Sequence, residues 1–329
     1  MKIAIVKLSS LGDIVHSMVI LQFIKKHYPE SVIDWVVEKR FKGILENNPH
    51  INQIHTVNLN MIKRNKSLKL LFTEVSKASK FGKYDVVIDL QGLIKSAIIA
   101  KFISGRKIVG FDKNSIRERL SSYFYNQKVA IGYDKNTIER YVKLISEALR
   151  IKITRDDIID KELYLFSKSN IFIPQTPYIV FIIGSTWESR NYPKEKYAQV
   201  ANAIKKDCLV IWGTEQEKEK AEWMSSESNY IQVMPKLSLD DLKHVISHAS
   251  LLIGNDTGPS HMSWALNIPS IILFGPTPIE RAFQTPINTV LSSNSKINHY
   301  KLDKNDFSIK EIKVSDVVKI AKELLRVSL

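Results

Sequence analysis

Three short segments concentrate the residue types that bind anions and move protons. The first is Lys7-Leu8-Ser9-Ser10-Leu11-Gly12-Asp13, lying between an apolar run and a helical pattern. A glycine-containing strand-to-helix turn presents backbone N–H groups and the positive end of a helix to an anion. Asp13 is placed either to cap that helix or to act as a general base at the strand end, with Lys7 a nearby positive charge. Only one glycine stands where G-x-G-x-x-G needs three, so a nicotinamide cofactor loses support. The second segment, Gly184-Ser185-Thr186-Trp187-Glu188-Ser189-Arg190-Asn191-Tyr192-Pro193, sets two hydroxyls and a guanidinium ahead of a proline-started helix. It is either a phosphate cradle or an ordinary polar loop. The third, Gly254-Asn255-Asp256-Thr257-Gly258-Pro259-Ser260-His261, follows another apolar run and is the most specific of the three. Gly258 permits close backbone approach, and Thr257, Gly258 and the following helix start can hold a diphosphate through N–H groups. Asp256 and His261 can orient sugar hydroxyls, although a lone histidine is more often structural.

Two weaker features accompany these. Trp212-Gly213-Thr214-Glu215-Gln216-Glu217 places carboxylates just beyond a strand, where one could grip ribose hydroxyls or simply complement a helix dipole. Between Met61 and Lys83 there are seven basic side chains against one acidic, Glu74. Arg64 and Lys66 could clamp carboxylates or phosphates there, while the rest suits a solvated helix face. No H-E-x-x-H, D-x-D or Cys/His cluster appears, so no metal is expected.

The elements that must position these loops alternate from end to end. Strand patterns at 2–8, 32–37, 51–57, 84–90 and 107–111 are interleaved with helical patterns at 13–27, 67–80, 96–103, 115–125 and 137–149. A polar, proline-containing stretch at 167–177 suits a linker. Strands at 178–183, 208–212, 231–233, 251–253 and 270–274 then alternate with helices, ending in an amphipathic helix at 314–327. The pattern predicts α/β architecture: two Rossmann-like doubly wound domains, 1–167 and 168–329, with ligands at the carboxyl ends of the strands. The terminal helix is expected either to stay with the second domain or to pack back on the first.

Composition narrows the function classes. The chain has 329 residues, 44% of them hydrophobic, and a mean hydropathy of −0.12, which excludes a mainly disordered protein. Its one cysteine, Cys208, excludes an internal disulfide framework. The apolar runs are too short to span a bilayer, and the N-terminal run is too short for a signal peptide, so an intracellular protein is expected. Lys and Arg number 48 against 34 Asp and Glu, a net charge of +14. Residues 1–167 hold 29 basic and 17 acidic side chains, so +12 of that excess lies in the first half. Such a half suits an anionic partner: nucleic acid, a phosphorylated sugar or a membrane surface. No helix-turn-helix, RNA-recognition or zinc pattern accompanies the charge, which disfavours nucleic acid.

The chain resembles the lipopolysaccharide heptosyltransferases of glycosyltransferase family 9, which have the GT-B fold. The carriers are Ser10-Leu11-Gly12-Asp13, Ile33-Asp34-Trp35-Val36-Val37-Glu38, Val87 to Ser96 (which includes Gln91-Gly92-Leu93-Ile94-Lys95-Ser96), Ser115-Ile116-Arg117-Glu118 and Asp256-Thr257-Gly258-Pro259-Ser260-His261. The Trp-Val-Val-Glu and Gln-Gly-Leu-Ile-Lys-Ser stretches resemble the branch that adds the first heptose. The resemblance implies inverting transfer of L-glycero-D-manno-heptose from ADP-heptose to the Kdo sugar of Kdo-lipid A, at the cytoplasmic face of the inner membrane, without a cofactor. It implies Asp13 as catalytic base and a donor site of Ser185, Thr186, Arg190 (a Lys in most of the family), Glu217, Leu237, Asp256, Thr257, Gly258 and His261. For the acceptor it implies Lys7, Ser10, Gly12, Arg64, Lys66, Arg117 and Arg140. The alternatives are a family 9 transferase acting on an already heptosylated acceptor, a basic nucleic-acid-binding protein, and a non-catalytic nucleotide-sugar-binding protein. Oligomeric state is not specified by the sequence.

Overall fold

A computed structural model describes residues 1–59, 68–299 and 302–327. The chain divides into two compact units, Met1–Tyr164 and Leu165–Leu329.

The first unit is built on six parallel strands: β1 Lys2–Val6, β2 Val32–Glu38, β3 Gln53–Val57, β4 Lys83–Asp89, β5 Ser104–Phe111 and β6 Gln127–Val129. Their order is β3-β2-β1-β4-β5-β6. The central strands read as nearly unbroken apolar runs, as a parallel sheet covered on both faces requires. Ile3, Ala4, Ile5 and Val6 of β1 are all fully buried. The helical pattern at 13–27 forms two segments, Leu11–Met18 and Ile20–His27, with Val19 between them still in the right-handed region.

The second unit repeats the plan with β7 Tyr178–Ile182, β8 Asp207–Ile211, β9 Ile231–Val233, β10 Leu251–Asn255, β11 Ser270–Phe274 and β12 Asn288–Ser292, in the order β12-β11-β10-β7-β8-β9. Both units are doubly wound α/β sheets of the kind that make up GT-B proteins. Val317, Ala321 and Leu324 of the terminal helix Val314–Val327 enter the second unit's core beside Ala198 and Ala201 of helix Lys194–Ile204. The apolar stripe of this helix closes the core of its own unit.

Other expectations change at the edges. The helix expected over 115–125 is a loop followed by a 3-10 turn, Arg119–Phe124. Asp112 Oδ1 accepts the N–H groups of Asn114 and Ser115, and Ser121 and Ser122 hydroxyls donate to carbonyls three residues back. Such local bonds compete with a regular helix. The edge strands β6 and β12 and the short helix Arg155–Ile159 carry too little apolar periodicity to stand out in the sequence. The stretch after Tyr164 is fastened to the second unit, Ser167 Oγ donating to the Asp240 carbonyl and Lys168 N–H to the Asp240 carboxylate.

Candidate active site

In a doubly wound sheet, ligands gather at the carboxyl ends of the strands where the order reverses. In the first unit that point lies between β1 and β4. The loop after β1 enters helix Leu11–Met18 with Ser10 as N-cap, and Asp13 Oδ2 accepts the Ser10 N–H at 3.1 Å and its hydroxyl at 2.7 Å. The capping role open in the sequence is thus real, and it holds the Asp13 carboxylate, half-buried, at the mouth of the sheet. The loop after β4 braces the same turn from the other side. Gln91 Oε1 accepts the N–H groups of Leu8 and Ser9, each at 3.1 Å. Gly92 then turns with φ +67, a conformation that favours glycine.

Beneath them Asp89 is buried and accepts from the Gln91 N–H and from the Ser96 and Tyr125 hydroxyls, each at 2.8 Å. Burial dominates and raises its carboxyl above the usual range, with those hydrogen bonds opposing. Lys7 is buried too, its Nζ 3.4 Å from the Leu90 carbonyl and 4.8 Å from the Tyr141 ring centre. Desolvation lowers its ammonium, and the charges of Asp13 and Asp89 pull the other way. Arg140, on helix Thr137–Leu149, lies over the rings of Tyr133 and Phe111 and donates to the Ser115 carbonyl. Burial lowers its guanidinium as well, and Asp13 is among the groups opposing that shift. Lys7, Asp13 and Arg140 therefore form one electrostatic group. Gly12 is buried in the first helical turn, Arg117 is exposed on the loop after β5, and Arg64 and Lys66 lie outside the described residues.

In the second unit the order reverses between β7 and β10. Asn255, at the end of β10, fixes the loop after β7: its Nδ2 donates to the Ile183 carbonyl, and its Oδ1 accepts from the Tyr192 N–H and the Tyr197 hydroxyl. Asp256 follows as the hub of a buried cluster. His261 Nε2 lies 3.1 Å from Oδ1, while the Thr277 hydroxyl (2.8 Å) and Arg190 Nη1 (3.3 Å) donate to Oδ2. Burial works against ionisation of Asp256, but the His261 hydrogen bond and the Arg281 and Arg190 charges outweigh it and hold the carboxyl well below the usual range. Arg190 also covers the Trp187 ring. The Ser185 hydroxyl and Arg190 Nε are shielded from solvent and make no hydrogen bond within the described residues. Buried donors in that condition fit a site that receives acceptor atoms from a ligand. Thr257 is the N-cap of helix Gly258–Ala265 without a side-chain cap bond, so the first-turn N–H groups face the same region.

Glu217, read in the sequence as a ribose contact or a partner of the helix dipole, closes a capping box at the start of helix Glu215–Glu227. Its Oε2 accepts the Gly213 and Thr214 N–H groups at 2.7 and 3.2 Å, and its carboxylate presses on Gly184, where an added Cβ would collide with it. Leu237 is half-buried, Thr186 exposed. Among the described residues no three His, Cys, Asp or Glu side chains gather as metal ligands.

Residues 73–310 match glycosyltransferase family 9 (heptosyltransferase). The chain belongs to glycosyltransferase family 9. It is 39% identical to lipopolysaccharide heptosyltransferase 1 of Campylobacter coli, over 98% of this chain and 99% of that protein. It is 30% identical to the protein of the same name from Escherichia coli K12, over 84% of this chain and 88% of the relative. Among solved structures it matches E. coli heptosyltransferase WaaC with ADP-2-deoxy-2-fluoro heptose, with a TM-score of 0.81, 25% identity, and coverage of 98% of this chain and 99% of that one.

For this family 9 chain the structure brings Lys7, Ser10, Gly12, Asp13 and Arg140 to one sheet end. It brings Ser185, Arg190, Asp256, Thr257, Gly258 and His261 to another. Gln91, Asn255, Thr277 and Arg281 were not singled out as site residues. Gln91 and Asn255 lie inside the sequence motifs without a role read for them, and the Gly-Pro-Thr following β11 is the local signal for Thr277.

Proposed function

We propose that this chain is an inverting heptosyltransferase that moves L-glycero-D-manno-heptose from ADP-heptose to the Kdo sugar of Kdo-lipid A. The nearly full-length likeness to proteins named lipopolysaccharide heptosyltransferase 1 carries this reading, and both strand-end sites supply the chemistry it requires. The second unit binds the donor. Its diphosphate meets Arg190, the Ser185 and Thr186 hydroxyls and the N–H groups at Thr257 and Gly258, which also stabilise the charge that develops as the diphosphate leaves. Asp256 and His261 orient the sugar, Glu217 Oε1 meets the ribose and Leu237 the adenine. The first unit binds the acceptor, Arg140, Arg117 and Lys7 facing its carboxylates and phosphates. Asp13 takes the proton from the acceptor hydroxyl as that oxygen attacks the heptose carbon; the carbon–diphosphate bond breaks and ADP departs. Arg64 and Lys66 are assigned to the same acceptor pocket from sequence.

A glycolipid acceptor also calls for a membrane-facing surface, here at the inner membrane's cytoplasmic face. Helix Leu68–Ala78 and the turn Arg119–Phe124 both pack on helix Ile94–Phe102. Phe72, Phe102, Leu120 and Tyr123 project from these elements with more than half of their surface exposed. Residues 94–128 hold eight basic and two acidic side chains. Exposed aromatics among excess positive charge suit an anionic lipid surface. No helix among the described residues is long and apolar enough to cross a membrane.

The test is ADP release. With ADP-heptose present, adding Kdo-lipid A should raise ADP production in proportion to the acceptor consumed; production independent of acceptor contradicts transfer.

A further inference from the structure

Arg281 closes the 3-10 turn Ile279–Arg281, which follows β11 beside the Asp256 cluster. Its Nη1 lies 3.6 Å from Asp256 Oδ2, the oxygen that already receives Arg190 and Thr277. The two guanidiniums are held differently. The Arg190 side chain is 10% exposed and within hydrogen-bond distance of the carboxylate; Arg281 is 40% exposed and beyond it. Among the described residues the Arg281 guanidinium makes no hydrogen bond. Two permanent cations thus share one carboxylate, and their mutual repulsion lowers the Arg190 guanidinium, behind burial in size and against the pull of Asp256. A second anion arriving at this point would gain from both cations. Thr277, two residues before this turn, is fully buried and donates to the same Asp256 oxygen, which ties the entry of the turn to the cluster.

We propose that Arg281 is a second diphosphate-binding cation. Asp256 fixes Arg190 in the interior and holds Arg281 at the edge of the site, so that both guanidiniums meet the donor's diphosphate. This rests on the donor assignment made above and adds to it a residue that neither strand-end motif contains. A planar five-donor group at the exposed edge of the Asp256 cluster would grip the outer phosphate, next to the bond that breaks, while Arg190 holds the diphosphate from the interior.

Calorimetric titration with ADP and with AMP, on wild type, Arg281→Ala and Arg281→Lys, tests the proposal. Arg281→Ala should weaken ADP binding about tenfold, the scale of one lost charge-assisted contact, and weaken AMP binding much less. Arg281→Lys should recover part of the ADP loss because the charge remains. A parallel melting curve separates loss of binding from loss of fold. Equal losses for ADP and AMP, or an unchanged ADP affinity in Arg281→Ala, overturn the proposal and leave Arg281 only a charge partner of Asp256. Should wild type favour UDP over ADP, the ADP-heptose assignment fails, and the same comparison with UDP and UMP still decides the role of Arg281. Binding of neither diphosphate by wild type overturns both.

Discussion

The Asp13 carboxylate caps its own helix through Ser10, and in the proposed reaction the same group takes the acceptor's proton. Asp13→Asn keeps the size and one acceptor oxygen for the cap but removes the base. Turnover should fall by about 10²–10⁴, while ADP affinity in the second unit is unchanged. A loss of ADP affinity matching the loss of turnover would argue against the base assignment; transfer rate and calorimetry on one preparation separate the two. The place of Asp13 was legible in the sequence because it is set locally, by a strand, a turn and a helix start within seven residues. The brace that holds it was not. Gln91 reaches the Leu8 and Ser9 amides across a separation of 82 to 83 residues, and nothing in the local pattern around Gln91 announces the contact. Thr277 and Arg281 escaped for the same reason. Their positions come from meeting Asp256, and that meeting is a property of adjacent parallel strands.

At the scale of elements, strands and long helices were readable because their apolar periodicity is enforced by burial on both sheet faces. The misread segment, 115–125, is one where side-chain hydroxyls and Asp112 capture the backbone locally. The terminal helix gives a direct measure of an element's worth. Leu324 is nearly fully buried in the second unit's core, so Leu324→Ala should lower unfolding free energy by about 2–4 kcal/mol in a denaturant titration. The close approach of Gly184 to Glu217 predicts a second effect. Gly184→Ala forces that carboxylate away from the Gly213 and Thr214 amides, lowering both Tm and ADP affinity. Unchanged values would place Glu217 outside the donor site.

The strand register is also tied by a buried carboxylate, Asp34 in β2. It accepts from Asn52 (2.8 Å) and from the Tyr84 hydroxyl (2.7 Å), with His55 at 3.7 Å and Lys2 at 3.5 Å. Burial opposes ionisation, but His55, Asn52, Tyr84 and Lys2 together hold the carboxyl at about 2, well below the ordinary aspartate value. A depressed folded value means this stabilisation is complete above about pH 4 and is lost as pH falls from there through about 2. Asp34→Asn should therefore destabilise the protein near neutrality and flatten the acid limb of its stability profile. An acid limb of unchanged slope in urea titrations would contradict this.

For the whole molecule, the net charge of +14 was visible at once, but its purpose depended on where it lay. Part of it surrounds Phe102, Leu120 and Tyr123, so binding to vesicles containing anionic lipid should exceed binding to zwitterionic vesicles and weaken with salt. Replacing those three residues with Ser should lower sedimentation with anionic vesicles at least about tenfold, since each buried side chain is worth roughly 1.5–3 kcal/mol. Transfer to a detergent-dispersed acceptor should be unaffected. Equal binding of the triple variant would move the lipid contact elsewhere.

The most direct measurement is mass spectrometry of the products formed from ADP-heptose with Kdo-lipid A and, separately, with an already heptosylated acceptor. First-step heptose transfer predicts a gain of one heptose on Kdo-lipid A and none on the heptosylated substrate. A gain only on the heptosylated acceptor, or on neither, would contradict it.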